Sequence, residues 1–354
     1  MSMRDKLIDV ARGIGILLVV FAHIYEGIAT NIIYLFHMPL FFFLSGATIS
    51  FSKSQFDRNY VNKRIKTLLV PYFLFSLISF FYWWRIESYF RPSFDSPIFD
   101  GIMGNLSMPI QQFINIFLSI SFGSAFVYNS PLWFLTCLFI SIVCYTLIKK
   151  YIGKYSFFCC CLSAALYFSF LRVVGMHLPW CFEIALTTLP LLWLGDNTYK
   201  RIRMSTSIEA FFISIVSLII SFSIVLEFHP SVNMKVHHFG TWWQFYLCSV
   251  SLIAILLIFG RLVLKYEFGV LQWLGRNSLI IMCIHGPINR IVLYAISVII
   301  QKDVDIIRHS LLMSSCTVLL DLMIVIPVVI IINRYFPWVW GKTRLNNDIS
   351  KLCN

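Results

Sequence analysis

Two ionisable side chains, Arg12 and His23, lie in one apolar stretch near the N-terminus of the 354-residue chain. They are eleven residues apart, which on an α-helix places both on one face, about 16 Å apart along the axis. An arginine can hold an anionic group, and a neutral histidine can take a proton from a hydroxyl at pH 7. A snorkelling arginine and a packed histidine would show the same spacing, so a structural role stays open.

Two further residues extend this predicted site. Asp9 precedes Arg12 by three residues on the same helix face and could orient it. His37 lies two residues before Pro39, which frees backbone groups one turn back. We expect His37 to face His23 across a short connection, either as a ligand contact or as a structural residue at a kink.

Later apolar stretches contain four more ionisable residues: Glu183, His285, Arg290 and Asp321. Ionisable groups in a membrane cost free energy and usually mark function. Arg290 and Asp321 lie on consecutive predicted spans, so we expect them to neutralise each other. Glu183 has no partner in its own span and could pair with Arg290 or orient a histidine.

A basic segment, residues 53–66, precedes the third apolar run. It contains five cations, among them Lys63, Arg64 and Lys66. Such a cluster beside a membrane can bind anionic lipid headgroups or the phosphates of a ligand. Both alternatives stay open from the residues alone.

The composition places these residues in an integral membrane protein. Of the chain, 59% is hydrophobic and only 12% is charged, whereas about a quarter of an average soluble domain is charged. This excludes a nucleic-acid binder or a soluble enzyme, despite a net charge of +12. Ten cysteines show no metal-binding or redox spacing, so we predict neither a disulfide framework nor a metal site.

The predicted architecture is all-α, a polytopic bundle of about ten transmembrane helices. A long loop at 85–130 includes a semi-apolar stretch, 113–122, that is too short to span. A short tail follows at 336–354. The predicted spans are 8–28, 33–51, 67–84, 131–148, 155–174, 178–195, 208–227, 243–264, 276–300 and 310–333.

Charge asymmetry predicts the orientation of the bundle. The N-terminus, alternate loops and C-terminus carry 20 Lys and Arg residues, against 6 in the opposite loops. Positive loops stay in the cytoplasm, so we expect both termini there. None of the eight histidines falls in a predicted cytoplasmic loop. The histidine- and aromatic-rich outer loops could form an interfacial belt or a sugar-binding surface.

The spacing of Arg12 and His23, with several other segments in order, resembles the integral-membrane acyltransferase-3 family, especially its fucose O-acetylase-like branch. The similarity extends from about residue 5 to residue 290. The segments are Ile8-Asp9-Val10-Ala11-Arg12-Gly13-Ile14-Gly15, Phe36-His37-Met38-Pro39-Leu40-Phe41-Phe42-Phe43-Leu44-Ser45-Gly46, Lys63-Arg64-Ile65-Lys66 with Pro71-Tyr72, Leu132-Trp133-Phe134-Leu135, Leu178-Pro179-Trp180 with Glu183, and Leu274-Gly275-Arg276-Asn277-Ser278-Leu279 with His285.

The resemblance implies a single membrane acyltransferase domain at 1–335, in a bacterial inner membrane. It would transfer acetyl or another short acyl group from acyl-CoA, most simply acetyl-CoA, to a sugar hydroxyl of a surface polysaccharide or its lipid-linked precursor. Some members carry an extracellular hydrolase-like domain, and without one the membrane domain must complete the transfer.

The same resemblance assigns roles to the candidate residues. His23 would be the general base, with His37 assisting, orienting the acceptor or donating to an oxyanion. The remaining assignments are catalytic Glu183, acyl-CoA contacts at Arg12, Arg64, Lys66 and Asp9, and sugar contacts at Trp133, Trp180 and His285. An acetyl-histidine intermediate is an open alternative.

Two other functional classes also fit a polytopic protein with buried charges. A non-catalytic glycan or lipid flippase would use such charges along a substrate pathway. A glycan polymerase would more often use a large outer loop, for which only residues 85–130 qualify. Dependence on acyl-CoA separates the transferase from both.

Overall fold

The computed structural model describes residues 5–51, 57–87, 98, 104–266 and 269–340. Within these residues every regular element is a helix, which confirms the predicted all-α bundle. The α-helices are α1 Lys6–Ile24, α2 Ile28–Tyr34, α3 His37–Ser50, α4 Arg58–Arg64, α5 Val70–Arg85, α6 Met108–Leu118, α7 Trp133–Tyr151, α8 Ser156–Leu166, α9 Arg172–Val174, α10 Phe182–Met204, α11 Ser207–Phe228, α12 Trp242–Leu264, α13 Gly269–Arg276, α14 Ser278–Ile300, α15 Val304–His309 and α16 Leu311–Tyr335.

The described residues contain nine helical segments long and apolar enough to cross a membrane, one fewer than predicted. The difference is the predicted span 178–195, which corresponds to α10. This helix runs on to Met204, and its second half carries Asp196, Lys200, Arg201 and Arg203. Its first half is nevertheless buried and packs along α3, so α10 is part of the bundle core.

The basic segment is helical where the structure describes it. The Asp57 side chain accepts a hydrogen bond from the Tyr60 amide and begins α4. A π-helical turn, Ile65–Leu69, then joins α4 to α5 without a break. Pro71 follows this turn and has no amide hydrogen to donate. From residue 58 onward the predicted loop therefore extends the third span, and Arg58, Lys63, Arg64 and Lys66 lie on a helix.

Pro39 does not kink a span, contrary to expectation. Helix α3 begins at His37, so Pro39 occupies its first turn, where a missing amide hydrogen has no cost. The break in the predicted second span lies earlier, between α2 and α3. His37 is therefore held at a helix N-terminus, and it is buried.

Two helix pairs approach each other through glycines. A Cβ on Gly13 of α1 would overlap the Leu271 carbonyl of α13, and one on Gly275 would overlap the Asp9 carbonyl. Gly46 of α3 and Gly195 of α10 make a similar crossing. Small residues at such crossings allow close backbone packing in membranes. The first crossing brings the end of α13 against the part of α1 that carries Arg12.

The bundle separates an interior from a lipid-facing exterior. Helices α1 and α3 are mostly buried, whereas α8, α11 and α16 expose most of their apolar side chains. Helix α6 covers the first part of the semi-apolar stretch 113–122, and it begins earlier, at Met108, and ends at Leu118. Trp340 at the start of the predicted tail stacks on Phe75. Residues 88–97, 99–103 and 341–354 lie outside the described residues.

We expect Gly275→Ala to destabilise the protein, because the new methyl group would meet backbone rather than a movable side chain. Overpacking of this kind costs about 1–3 kcal/mol. Thermal unfolding of the purified protein in detergent should show a lower Tm. Gly269→Ala, on the same helix with nothing within 4 Å of its new Cβ, should leave Tm unchanged. An unchanged Tm for Gly275→Ala would contradict the close crossing.

Candidate active site

Three histidines from three helices lie close together inside the bundle. His23 lies at the end of α1, His37 at the start of α3 and His285 in α14. The rings of His23 and His285 meet edge to face, with centroids 5.1 Å apart. The Tyr34 ring lies 6.5 Å from that of His23 and 5.0 Å from that of His37. The structure thus brings together all three histidines that the sequence singled out inside spans.

One local hydrogen bond sets the tautomer of each histidine. Nδ1 lies 2.8 Å from the carbonyl oxygen four residues back in His23, and 2.9 Å from it in His37 and His285. A carbonyl oxygen only accepts hydrogen bonds, so Nδ1 carries the hydrogen and Nε2 carries the lone pair. The neutral rings therefore present their basic nitrogen away from their own helices.

His23 and His37 line a small cavity of about 130 Å³, here called the histidine cavity. Tyr34 and Trp133 also line it, which places one of the predicted substrate contacts at this site. His285 packs behind His23 and is fully buried. Neutral His37 has its hydrogen on Nδ1, so Nε2 can accept from a hydroxyl but cannot donate to an oxyanion. This geometry favours the orienting role among those considered for His37.

Lys235 also lines the histidine cavity, and the sequence analysis did not select it. It belongs to the loop between α11 and α12, where Asn233 and His238 exchange backbone hydrogen bonds of 2.6 and 3.0 Å. Burial, together with the charge of Arg290, lowers the pKa of Lys235 to about 8. A signal was present in the sequence, because Lys235 is one of only six cations in the lightly charged loops.

A second cavity, of about 230 Å³, lies near the N-terminal end of α1 and is here called the basic cavity. Arg12, Lys63, Arg64 and Arg276 line it. The close crossing of α1 and α13 places Arg276 there. Lys66, one of the predicted acyl-CoA contacts, is exposed and does not line the cavity, nor does the buried Asp9. Arg64 lies over the Tyr60 ring, 5.0 Å from its centroid, so its guanidinium is held in place.

The basic and histidine cavities are neighbours inside the bundle. Met282 lines both. Trp133 lines the histidine cavity, and the next residue, Phe134, lines the basic cavity. An elongated ligand could therefore hold its anionic end at the arginines and extend its other end towards His23.

A third cavity, of about 890 Å³, lies on the other side of His23 and is here called the wide cavity. His23, Ser130 and Pro131 line both this cavity and the histidine cavity. The remaining polar lining consists of tyrosines, an amide and charged side chains: Tyr82, Tyr294, Asn289, Glu87, Arg290, Asp303, Asp305 and Arg308.

Arg290 pairs with Glu87 rather than with Asp321, so that predicted ion pair is wrong. Its Nε and Nη2 lie 2.6 and 3.0 Å from the two carboxylate oxygens of Glu87, and Nη2 also donates to the Tyr128 carbonyl at 2.6 Å. Glu87 lies just beyond α5, outside the predicted third span, so span positions alone did not indicate it. The Asp321 carboxylate lies beside Asn289 of α14.

The remaining predicted site residues lie away from these three cavities. Glu183, fully buried at the start of α10, lies beside His237 with 3.3 Å between its Oε1 and Nε2, and Arg290 pairs with Glu87 instead. The Trp180 indole donates to the Phe117 carbonyl at 2.9 Å. Their catalytic and sugar-binding roles stay predictions.

The arginines of the basic cavity can hold a polyanion. In the histidine cavity, the hydroxyl of a bound ligand can reach the basic Nε2 of His23. Residues 5–334 match the acyltransferase domain that defines the acyltransferase-3 family. The chain belongs to this family and is a membrane acyltransferase. No curated protein and no solved structure matches the chain.

Proposed function

We propose that this protein transfers a short acyl group, most simply acetyl, from acyl-CoA to a sugar hydroxyl. The observation that carries the proposal is the position of His23, which lines both the histidine cavity and the wide cavity. With Nδ1 bound to the Val19 carbonyl, its Nε2 is the basic atom between two ligand spaces. A donor reaching in from the basic cavity and an acceptor in the wide cavity would meet there.

In the proposed reaction His23 acts as general base. Its Nε2 takes the proton from the sugar hydroxyl as the hydroxyl oxygen attacks the thioester carbonyl carbon. The tetrahedral intermediate then collapses, the carbon–sulfur bond breaks, and the proton on Nε2 passes to the departing thiolate. The ester forms in one transfer, without an acyl-histidine intermediate.

Lys235 supports the developing negative charge in this proposal. The carbonyl oxygen becomes an oxyanion in the transition state, and a positioned cation in a site shielded from water stabilises it more than it stabilises the ground state. Lys235 is the only cation lining the histidine cavity among the described residues. His37 would orient the sugar by accepting, through its Nε2, the hydrogen of a neighbouring sugar hydroxyl, because the single hydrogen of the reacting hydroxyl goes to His23.

The basic cavity suits the phosphate-rich end of acyl-CoA. Arginine pairs with phosphate through two parallel charge-assisted hydrogen bonds, and Arg12, Arg64 and Arg276 face one space. Acyl-CoA is cytoplasmic, and the excess of cations at this end agrees with cytoplasmic termini. We therefore place the donor on the cytoplasmic side of a bacterial inner membrane.

The wide cavity suits a carbohydrate acceptor. Its lining includes tyrosines, charged groups and an amide, all of which can hydrogen-bond to hydroxyls. The acceptor would be a sugar of a surface polysaccharide or of its lipid-linked precursor, as in the fucose O-acetylase-like branch that the sequence resembles. A flippase would have no use for an acyl-CoA site, and membership of an acyltransferase family favours the enzyme.

We expect His23→Ala to reduce kcat about 10²- to 10⁴-fold, the usual contribution of a general base. Acyl transfer would be measured with acetyl-CoA and purified glycan acceptor, by mass spectrometry of the product. His309→Ala, at an exposed histidine, is the matched control. Near-normal transfer by His23→Ala would contradict the assignment. Acylation of the wild-type chain by acetyl-CoA alone would instead support the histidine intermediate.

We expect Arg12→Ala and Arg64→Ala to weaken acyl-CoA binding about 10- to 100-fold each, because a hydrogen bond to a charged group contributes about 1.5–3 kcal/mol. Isothermal titration with non-hydrolysable acetyl-CoA measures the Kd. Lys66→Ala, at the exposed lysine outside the cavity, should bind as wild type does. Equal losses in all three variants would indicate general electrostatics rather than a defined site.

We expect Lys235→Met to lower kcat about 10²-fold, the smaller of the losses seen when an oxyanion donor is removed. Lys235→Arg, which keeps the charge, should retain much of that rate. The Kd for acetyl-CoA should stay the same in both variants, since the phosphates bind elsewhere. A rise in Kd without a fall in kcat would assign Lys235 to donor binding instead.

A further inference from the structure

A second cluster of ligating side chains lies outside the three cavities. One ring nitrogen each of His177 and His237 and a carboxylate oxygen of Glu183 lie within 4.8 Å of one another. His177 lies in the segment that leads into α10, Glu183 lies in the first turn of α10, and His237 lies in the loop between α11 and α12. Glu183 is fully buried, and the side chain of His237 is 10% exposed.

One separation within the cluster is that of two ligands around one ion, and all three ligand atoms lie within 4.8 Å of one another. Two atoms bound tetrahedrally to zinc at about 2.0 Å lie about 3.3 Å from each other. Nε2 of His237 and Oε1 of Glu183 are 3.3 Å apart. Two histidines and one glutamate are a known zinc ligand set, which leaves a fourth position for water.

The buried carboxylate has one oxygen whose hydrogen-bonding capacity is unused. Oε2 of Glu183 accepts from the Leu178 amide at 3.1 Å, whereas Oε1 receives no hydrogen bond from the described residues. Nε2 of His237 has at most one hydrogen, and the Ser121 carbonyl lies 2.9 Å from it. A buried carboxylate oxygen without a donor is costly, and a cation would remove that cost.

Neighbouring residues contact each of the three side chains and limit their orientations. Metal-binding histidines are oriented by a hydrogen bond at their other ring nitrogen. Nδ1 of His237 lies 3.2 Å from the Tyr167 hydroxyl, which can accept a hydrogen from it. The His177 ring stacks on Phe122 with centroids 4.1 Å apart. The Leu178 amide fixes the Glu183 carboxylate.

We propose that His177, Glu183 and His237 bind a zinc ion, with water as the fourth ligand. Binding moves the hydrogen of His237 from Nε2 to Nδ1 and requires the ring to turn away from the Ser121 carbonyl, so that Nε2 exchanges that hydrogen bond for the ion. Sequence spacing did not indicate this site, because its ligands come from two segments more than fifty residues apart.

The ion would fasten the loop between α11 and α12 to the start of α10. His237 is two residues from Lys235, and the Ser121 hydroxyl donates to the Lys235 carbonyl at 2.7 Å. The zinc ion would therefore stabilise the fold of this loop. Metal binding itself does not depend on the proposed acyl transfer, so the two can fail separately.

Zinc content and coordination test the proposal on the full-length protein in detergent. The protein would be stripped with a chelator, titrated with zinc chloride and analysed for bound metal by mass spectrometry. We expect one zinc per chain and a higher Tm with zinc. Cobalt chloride in place of zinc should produce the visible absorption of a four-coordinate site with nitrogen ligands.

Matched variants distinguish the cluster from incidental metal binding. Removing an outer-sphere partner costs 10- to 100-fold in affinity, so His177→Ala, His237→Ala and Glu183→Gln should each lose at least about 100-fold. His238→Ala removes the exposed histidine next along the loop and should bind zinc as wild type does. Glu183→Gln preserves side-chain shape, so it tests the ligand if an alanine variant fails to fold. Absence of zinc and cobalt binding by wild type, or undiminished binding by these variants, would overturn the proposal.

Discussion

The site depends on the rigidity of α1. One uninterrupted helix carries Arg12 at one cavity and His23 at the boundary of two others, so their separation is set by the helical rise. Its glycine crossing with α13 brings Arg276 to the same basic cavity as Arg12. No loop has to move to keep this spacing. The basic cavity and the histidine cavity are therefore positioned by backbone geometry rather than by side-chain flexibility.

Polar groups inside the bundle are satisfied in two ways. Nδ1 of each of the three site histidines donates to the carbonyl oxygen four residues back in its own chain segment, so this nitrogen needs no partner from another helix. Arg290 instead takes its partners from elsewhere, Glu87 beyond α5 and the Tyr128 carbonyl. The first arrangement leaves a basic nitrogen available for chemistry. The pairing of Arg290 with Glu87 neutralises a charge inside the bundle, and both side chains line the wide cavity.

Local signals in the chain were sufficient for the helices and for the placement of Arg12 and His23 on one of them. Apolar runs predicted an all-α membrane bundle, and helical periodicity put Arg12 and His23 on one face. The ion pair predicted from the sequence was wrong because the partner of Arg290 comes from a distant segment of the chain. Arg290 was assigned to Asp321 because both lie in neighbouring spans, while Glu87 lies outside them. Lys66 was grouped with Arg64 by proximity in sequence, yet only Arg64 lines the cavity.

The sequence by itself determined the membrane class, the resemblance to a family and the two residues that one helix aligns, because these follow from composition and a fixed helical repeat. Only the tertiary structure decided which side chains share a space. It placed Lys235 in the same cavity as His23 and His37, and the His285 ring against the His23 ring. It also placed Glu183 beside His177 and His237. These contacts join segments far apart in the chain, and no local periodicity encodes the packing that brings them together.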